Sequence, residues 1–198
     1  MQVIQLNLNH CRATQDLLRH TVGEVNAEIA FLSEPYSVGP GEKWATNNQG
    51  KAAIWICKSI SSVYSCYLAP SLSLDAYCKA LEELAVDARG KHPVLIAGDF
   101  NAWAQEWWST TTNARGRALL EIPALLDLAL LNESNQETYN RADTGSIIDL
   151  TFVSSSLART SKWRFADIYT VSDHEVILCS LGTSRATSRT PPCGKAYR

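Results

Sequence analysis

The sequence predicts an α/β or α+β sandwich, and three observations carry that expectation. Helical and strand periodicities alternate through the first half, strand patterns dominate the second, and polar residues with chemical potential fall where strands stop. The chain has 198 residues, 45% hydrophobic and 19% charged, which suits one domain with one sizeable core. A net charge of −2 argues against a protein that grips nucleic acid by bulk charge alone. Six Trp residues are more than such a chain usually carries and suggest aromatic contact surfaces as well as core.

Met1 to Leu8 alternates apolar and polar residues, as a half-buried strand does. Residues 12–22 read as a helix with Leu17, Leu18 and Val22 on one face. Glu28 to Ser33 is a second strand, and 36–51 reads as a Gly/Pro/Asn loop. Two further strands follow, Ala52 to Cys57 and Val63 to Leu68. Residues 74–88 predict a helix capped by Ser73, and Pro93 to Ala97 a short buried strand. Residues 115–131 are Leu/Ala-rich and helical, with Pro123 expected to kink or divide them. Ser146 to Val153, Trp163 to Tyr169 and Glu175 to Leu181 complete a strand-rich second half.

Several classes are excluded. The six cysteines form no C-x-x-C pair, and no His stands near a Cys pair, so no zinc site is indicated. Neither a signal peptide nor an apolar run long enough to cross a membrane is present. Free thiols fit a reducing compartment, so the expected location is nuclear or cytoplasmic.

Acidic and amide residues cluster at strand ends. Asn7 and Asn9 end the first strand, Glu34 follows the second, and Asp99 and Asn101 follow the strand 93–97. Asp149 lies within an apolar run, and Asp173-His174 precedes the last strand. Any one Asn or Asp after a strand is more often a turn residue than a functional one. Asp149 resists that reading, because an ionised carboxylate in an apolar strand is costly unless paired or liganded. Carboxylates and amides without thiols form an oxygen-rich set that suits Mg²⁺ or Mn²⁺ better than zinc.

Six segments occur in an order that resembles the endonuclease/exonuclease/phosphatase superfamily. They are Gln5-Leu-Asn-Leu-Asn9, Leu32-Ser-Glu-Pro-Tyr36, Ser65-Cys-Tyr-Leu-Ala-Pro70, Gly98-Asp-Phe-Asn-Ala102, Ser146-Ile-Ile-Asp-Leu-Thr151 and Ser172-Asp-His174. The nearest resemblance is to the apurinic-like endonuclease domain of insect non-LTR retrotransposons, whose branch shares Ser-Glu-Pro-Tyr and the Asn113-Ala-Arg-Gly-Arg117 stretch. It implies a four-layer sandwich over residues 1–181, two packed mixed sheets flanked by helices, with the site at one end. It also implies metal-dependent nicking of double-stranded DNA to leave a 3′-hydroxyl for target-primed reverse transcription. Element RNA would join as a partner through any reverse transcriptase region beyond Arg198.

Carried over residue by residue, Glu34 resembles the principal metal ligand, helped by Asn7, with Asp173 supporting metal or water. His174 resembles the histidine that contacts the scissile phosphate, oriented by Asp149. Asp99 resembles the carboxylate that positions or deprotonates water, and Asn101 and Tyr67 the groups that hydrogen-bond the phosphate. Asn9 stands where repair-type relatives carry Asp, a change the retroelement branch shares, and marks a possible second site.

One departure is larger. Only seven residues, 57–63, lie where the family places additional strands, which with their turns take about 15–20 residues. The flanking strands would then pair directly through a turn at Ser59–Ser62, leaving part of a sheet open. Two competing readings stand beside the nuclease: a phosphomonoesterase of the same fold, and a decayed, catalytically inactive retroelement fragment. Residues 182–198 are Ser/Thr/Pro/Gly with basic and no acidic residues, and predict a disordered tail or linker.

Overall fold

The computed structural model describes residues 1–38, 44–56, 62–133, 135–142, 144–168 and 171–182. In chain order the first half contains β1 (Gln2–Asn7), α1 (Arg12–Glu24), β2 (Ile29–Ser33), β3 (Trp44–Thr46), β4 (Ala52–Ile56), β5 (Ser62–Tyr67), α2 (Leu74–Ala88) and β6 (Val94–Asp99). A single 3-10 turn at Gln105–Trp107 leads to α3 (Ala114–Leu126) and β7 (Leu128–Leu130). Then come β8 (Tyr139–Arg141), β9 (Thr144–Ser146), β10 (Asp149–Ser154), α4 (Ser155–Ala158), β11 (Lys162–Phe165) and β12 (Ile177–Ser180).

Successive side chains of a strand point to opposite faces, and the apolar residues of these strands use both. On β1, Val3 faces one apolar layer while Ile4 and Leu6 face another; on β2, Ile29 and Phe31 divide in the same way from Ala30 and Leu32. Of the two large sheets one has the order β11-β12-β1-β2-β4-β3 and the other β5-β6-β10-β7, each with one parallel pair among antiparallel ones, while β8 and β9 form a separate two-stranded sheet. Val3, Phe31, Leu95, Val153 and Ile177 fill the space between the sheets. Leu6, Leu32, Leu18 and Val22 join the six-stranded sheet to α1. Ile96, Phe152, Tyr77, Leu81 and Leu119 join the four-stranded sheet to α2 and α3. Three apolar layers therefore separate four structural ones, the arrangement that the resemblance implied. Each large apolar side chain so buried contributes roughly 1.5–3 kcal/mol.

Ser73 caps α2 as expected, its Oγ accepting from the Ala76 N–H at 3.2 Å. Two expectations are corrected. The helix expected over 115–131 ends earlier: it runs unbroken from Ala114 through Pro123 to Leu126, where Asp127 takes a left-handed conformation (φ 51°) and the chain turns into β7. The strands flanking 57–63 do not pair. A strand has only two hydrogen-bonding edges, and β2 and β3 occupy both edges of β4. Strand β5 is therefore laid against β6 in the other sheet, at its border. Residues 57–61 themselves, and the basic tail from 183, lie outside the described residues.

Gly98 marks the tightest contact between β5 and β6. It has φ +149°, and a Cβ there would lie 1.9 Å from the Cys66 carbonyl oxygen. Gly98→Ala is expected to lower the urea midpoint by the equivalent of at least about 2 kcal/mol, from strain and overpacking together. An unchanged midpoint would show that the two strands separate at little cost.

The described Cys11, Cys66, Cys78 and Cys179 are all free thiols. Among the described residues no helix is long and apolar enough to cross a membrane.

Candidate active site

Between the sheets, polarity rises toward one end. On β10 the inward residues run Val153, Thr151, Asp149; on β6 they run Leu95, Ala97, Asp99; on β1 they run Val3, Gln5, Asn7. The lower members pack as core. The middle level is a buried polar link, with the Thr151 hydroxyl donating to Gln5 Oε1 at 2.9 Å and Gln5 Nε2 to the Gly98 carbonyl at 3.2 Å. The upper level is the site. Asp149 pairs with Asp99 across β10 and β6, and Tyr67 pairs with Asp99 across β5 and β6, so all three stand in one row. Asn7 reaches this row from the opposite sheet, its Nδ2 donating to Asp99 Oδ2 at 3.2 Å.

His174 enters from the segment before β12. Its Nδ1 lies 2.7 Å from Asp149 Oδ2, and both residues are buried, 7% and 2% exposed. Ser172 fixes that entry, donating to the Asn7 carbonyl (2.7 Å) and accepting the His174 N–H (3.1 Å). The Tyr139 ring lies beside the imidazole, centroids 4.9 Å apart. Asp149 is itself held by its backbone. Thr138 Oγ1 accepts the N–H groups of Ile148 and Asp149, and Asn132 Nδ2 donates to the Asp149 carbonyl, each at 3.0 Å. Asp149 thus heads β10, whereas the sequence put it inside an apolar strand.

Glu34 sits at the end of β2 with φ +47° and accepts the Tyr67 hydroxyl proton at 2.8 Å. His10 Nε2 is 3.6 Å from the same Glu34 oxygen. Asn101 also has a positive φ, 46°, and donates to Asp99 Oδ1 at 2.7 Å. Asn9 (φ 47°) donates to Asp173 Oδ1 at 3.4 Å, at the exposed rim. Left-handed backbone is uncommon for residues with a Cβ and concentrates where side chains are re-aimed for function.

The electrostatics follow from burying like charges together. Burial, and then the facing charge of Asp149, raise the proton affinity of Asp99 far above the usual carboxylate range; His174, Asn101 and Asn7 counter this only in part. For His174, burial disfavours the imidazolium, but the charge and hydrogen bond of Asp149 outweigh it. With Asp99 and Asp173 adding to them, its pKa rises to about 9. Burial and the bond to Glu34 keep Tyr67 protonated well beyond its ordinary range.

All nine residues singled out from the sequence meet at this end of the sandwich. Asp99, Asp149 and His174 form the tightest group, each offering one ligand atom within 4.8 Å of the others. Two buried carboxylates facing each other on paired strands are costly without a cation. The oxygen donors of Glu34 and Asn7, with the Asp99 carboxylate alongside, suit a hard divalent ion, and in that sense the residues fit Mg²⁺ or Mn²⁺. Sequence reasoning gave no role to His10, Tyr139, Ser172, Thr138 and Asn132. His10 carried a signal in its adjacency to Asn9, and Ser172 in the Ser172-Asp-His174 segment.

A family model described as endonuclease–reverse transcriptase matches residues 61–178, which include Tyr67, Asp99, Asn101, Asp149, Asp173 and His174. Among solved structures, the chain is similar to the endonuclease domain of TRAS1, a telomere-specific non-LTR retrotransposon. The TM-score is 0.76 at 22% identity, covering 94% of this chain and 99% of that one. It is also similar to the 3′–5′ exonuclease NExo from Neisseria meningitidis, with TM-score 0.71, 12% identity, and 91% and 99% coverage. The catalytic domain of Xenopus laevis APE2 follows the same fold, with TM-score 0.67, 14% identity and 91% of each chain covered. No curated protein sequence matches. At such identities the structural likeness is one of fold. The family match covers more than half of the chain, and the chain belongs to the endonuclease–reverse transcriptase family, on the endonuclease/exonuclease/phosphatase fold.

Proposed function

We propose that this chain is a divalent-metal-dependent DNA endonuclease that nicks one strand and leaves a 3′-hydroxyl from which reverse transcription can be primed. The observation that carries the reading is the buried His174–Asp149 pair facing Asp99, with the oxygen donors of Glu34 and Asn7 alongside. The family match and the fold shared with a retrotransposon endonuclease domain support the choice of DNA as substrate.

Each residue then has a task. With Nδ1 committed to Asp149, His174 presents Nε2 to a phosphate oxygen, and as imidazolium it stabilises charge gathering there. Asp149 fixes the ring and its charge. Asp99, oriented by Asn7 and Asn101, accepts the proton of the attacking water in its ionised form, which a cation at Glu34 and Asn7 would favour. Bond formation from water to phosphorus accompanies cleavage of the bond to the 3′-oxygen, which leaves and takes up a proton from solvent. Asn101 donates to the phosphate through its second amide hydrogen. Tyr67, whose one hydroxyl proton points to Glu34 in the free protein, would turn it to the phosphate when Glu34 takes the metal. Glu34 and Asn7 would hold the metal ion, with Asp173 supporting them and Asn9 at a possible second site. When bound, Mg²⁺ or Mn²⁺ supplies Lewis-acid stabilisation of the pentavalent phosphate. The partners on this reading are double-stranded DNA in the nucleus and, through a reverse transcriptase, the element's RNA.

The chemistry of the ends tests this. A labelled duplex nicked by the protein should yield strands that a DNA polymerase extends directly. Ends that extend only after phosphatase treatment contradict the proposed bond cleavage. Release of phosphate from monoesters with DNA left intact would transfer the site to the phosphomonoesterase class.

A further inference from the structure

Four of the six tryptophans are absorbed by the fold. Trp107 and Trp163 are buried, and Trp44 and Trp55 stack on each other with centroids 5.5 Å apart. The other two, Trp103 and Trp108, are 47% and 46% exposed and stand on one segment that leaves the site at Asn101. Trp103 is two residues beyond Asn101, so its Cα lies within about 7 Å of the Asn101 Cα, the reach of two extended residues.

That segment is rigidly mounted. The Trp103 N–H donates to Asn113 Oδ1 at 3.4 Å, and its carbonyl accepts the Asn113 N–H at 3.0 Å. Gly116 lies so close beneath that a Cβ would come within 1.9 Å of the Trp103 carbonyl oxygen. Trp107 pins the turn from inside, its Nε1 donating to the Ala102 carbonyl at 3.1 Å. Arg115 ties the base of the segment to the neighbouring loop, donating to the carbonyls of Ala69, Pro70, Leu72 and Asn101. Trp108 holds a left-handed conformation (φ 62°), which costs a bulky residue and would cost glycine nothing. Neither exposed indole belongs to a buried core cluster, yet the backbone that carries Trp103 is fixed two residues from the site residue Asn101, and Trp108 follows on the same segment.

We infer that Trp103 and Trp108 form a stacking platform for an unstacked base of the substrate strand, giving the site a preference for DNA that is locally unpaired near the cleaved bond. The inference rests on the nuclease reading of the neighbouring site. A chain of net charge −2 has little bulk attraction for phosphates, so its affinity must come from other contacts. Aromatic stacking supplies them for any base, since every base has a π-face, and an indole with only two rotatable bonds loses little entropy on binding. In an intact duplex those faces are covered by neighbouring pairs. Only an opened step exposes them.

The test compares a fluorescein-labelled duplex carrying a small central bubble with the same duplex fully paired. Binding is read by anisotropy in excess chelator, which prevents cleavage, and nicking is read separately with Mg²⁺. Wild-type protein should bind the bubble about tenfold more tightly than the paired duplex, the scale of one stacked base. Trp103→Ala and Trp108→Gly should each bring that ratio close to one, with melting temperatures confirming that both variants are folded; the second also relieves the left-handed strain at position 108. Ratios equal in wild type and both variants overturn the inference, including the case in which the indoles serve a protein partner. A tryptophan-dependent ratio in protein that never nicks would uphold the platform while removing the nuclease reading. Nicking without any tryptophan-dependent discrimination would do the reverse.

Discussion

Replacing His174 by Ala is expected to slow DNA nicking by at least about 10²-fold, the usual scale for losing a charge-stabilising group at the reacting phosphate. The magnitude follows from how completely the ring is committed. It is buried, its Nδ1 is 2.7 Å from Asp149, and its pKa of about 9 keeps it an imidazolium at neutral pH. Asp149→Asn separates charge from shape. The amide can keep a contact with Nδ1 but withdraws the anion that sustains the imidazolium, so the alkaline limb of the rate profile should move to lower pH. Asp99→Ala should match the loss in His174→Ala, because the attacking water loses its base. Full activity in both alanine variants, with unchanged melting temperatures, would remove these residues from the chemistry.

Without metal, the protein should lose stability as pH rises from about 6.5 through 9. Folding raises the proton affinity of both His174 and Asp99, so the folded state holds protons that the unfolded chain releases. For a group whose folded pKa is raised, the stabilising contribution is complete below the ordinary value and disappears as pH climbs through the folded one. For His174 that window lies between 6.5 and about 9. Asp99 acts in the same direction, beginning at lower pH, because its ordinary value is 3.8. The expected loss is on the order of a few kcal/mol, read by urea denaturation in chelator across that range. Adding Mg²⁺ should reduce the decline, since a cation held by Glu34 and Asn7 beside Asp99 takes over the charge balance that the Asp99 proton provides. A stability that is level or rises over this interval contradicts the electrostatics assigned to the site.

Much of the candidate site was legible because its residues stand at strand ends in an ordered set of motifs, and the strand period of two accounts for the face they occupy. Asn7 shares its parity with Val3, and Asp99 shares its parity with Leu95 and Ala97, so each had to point into the space that the core residues fill. Parity gives a face but not a partner. Nothing local in Ala52–Ile56 says that the short strand Trp44–Thr46 will take its second edge, which is why a direct pairing with β5 was expected and is wrong. Asp149 illustrates the same limit. Thr138 captures the N–H groups of Ile148 and Asp149 and holds them out of the ladder, a tertiary contact that starts β10 two residues later than the apolar run suggests. Tyr139 and Ser172 reach His174 through an isolated pairing of Tyr139 with His174 and a hydroxyl bridge to Asn7, neither of which leaves a periodic trace. His10 gains its place by following the left-handed Asn9, a backbone state that sequence suggests for Asn and does not locate.

Conversion of supercoiled plasmid to open circle by the purified chain, with Mg²⁺ or Mn²⁺ and again with excess chelator, separates metal-assisted strand nicking from its alternatives. The predicted result is an open-circle product that accumulates only with the metal present and falls at least about 10²-fold in His174→Ala. Open circles that form equally in chelator, or that wild type and His174→Ala produce alike, would contradict a metal-assisted site built on Asp99, Asp149 and His174.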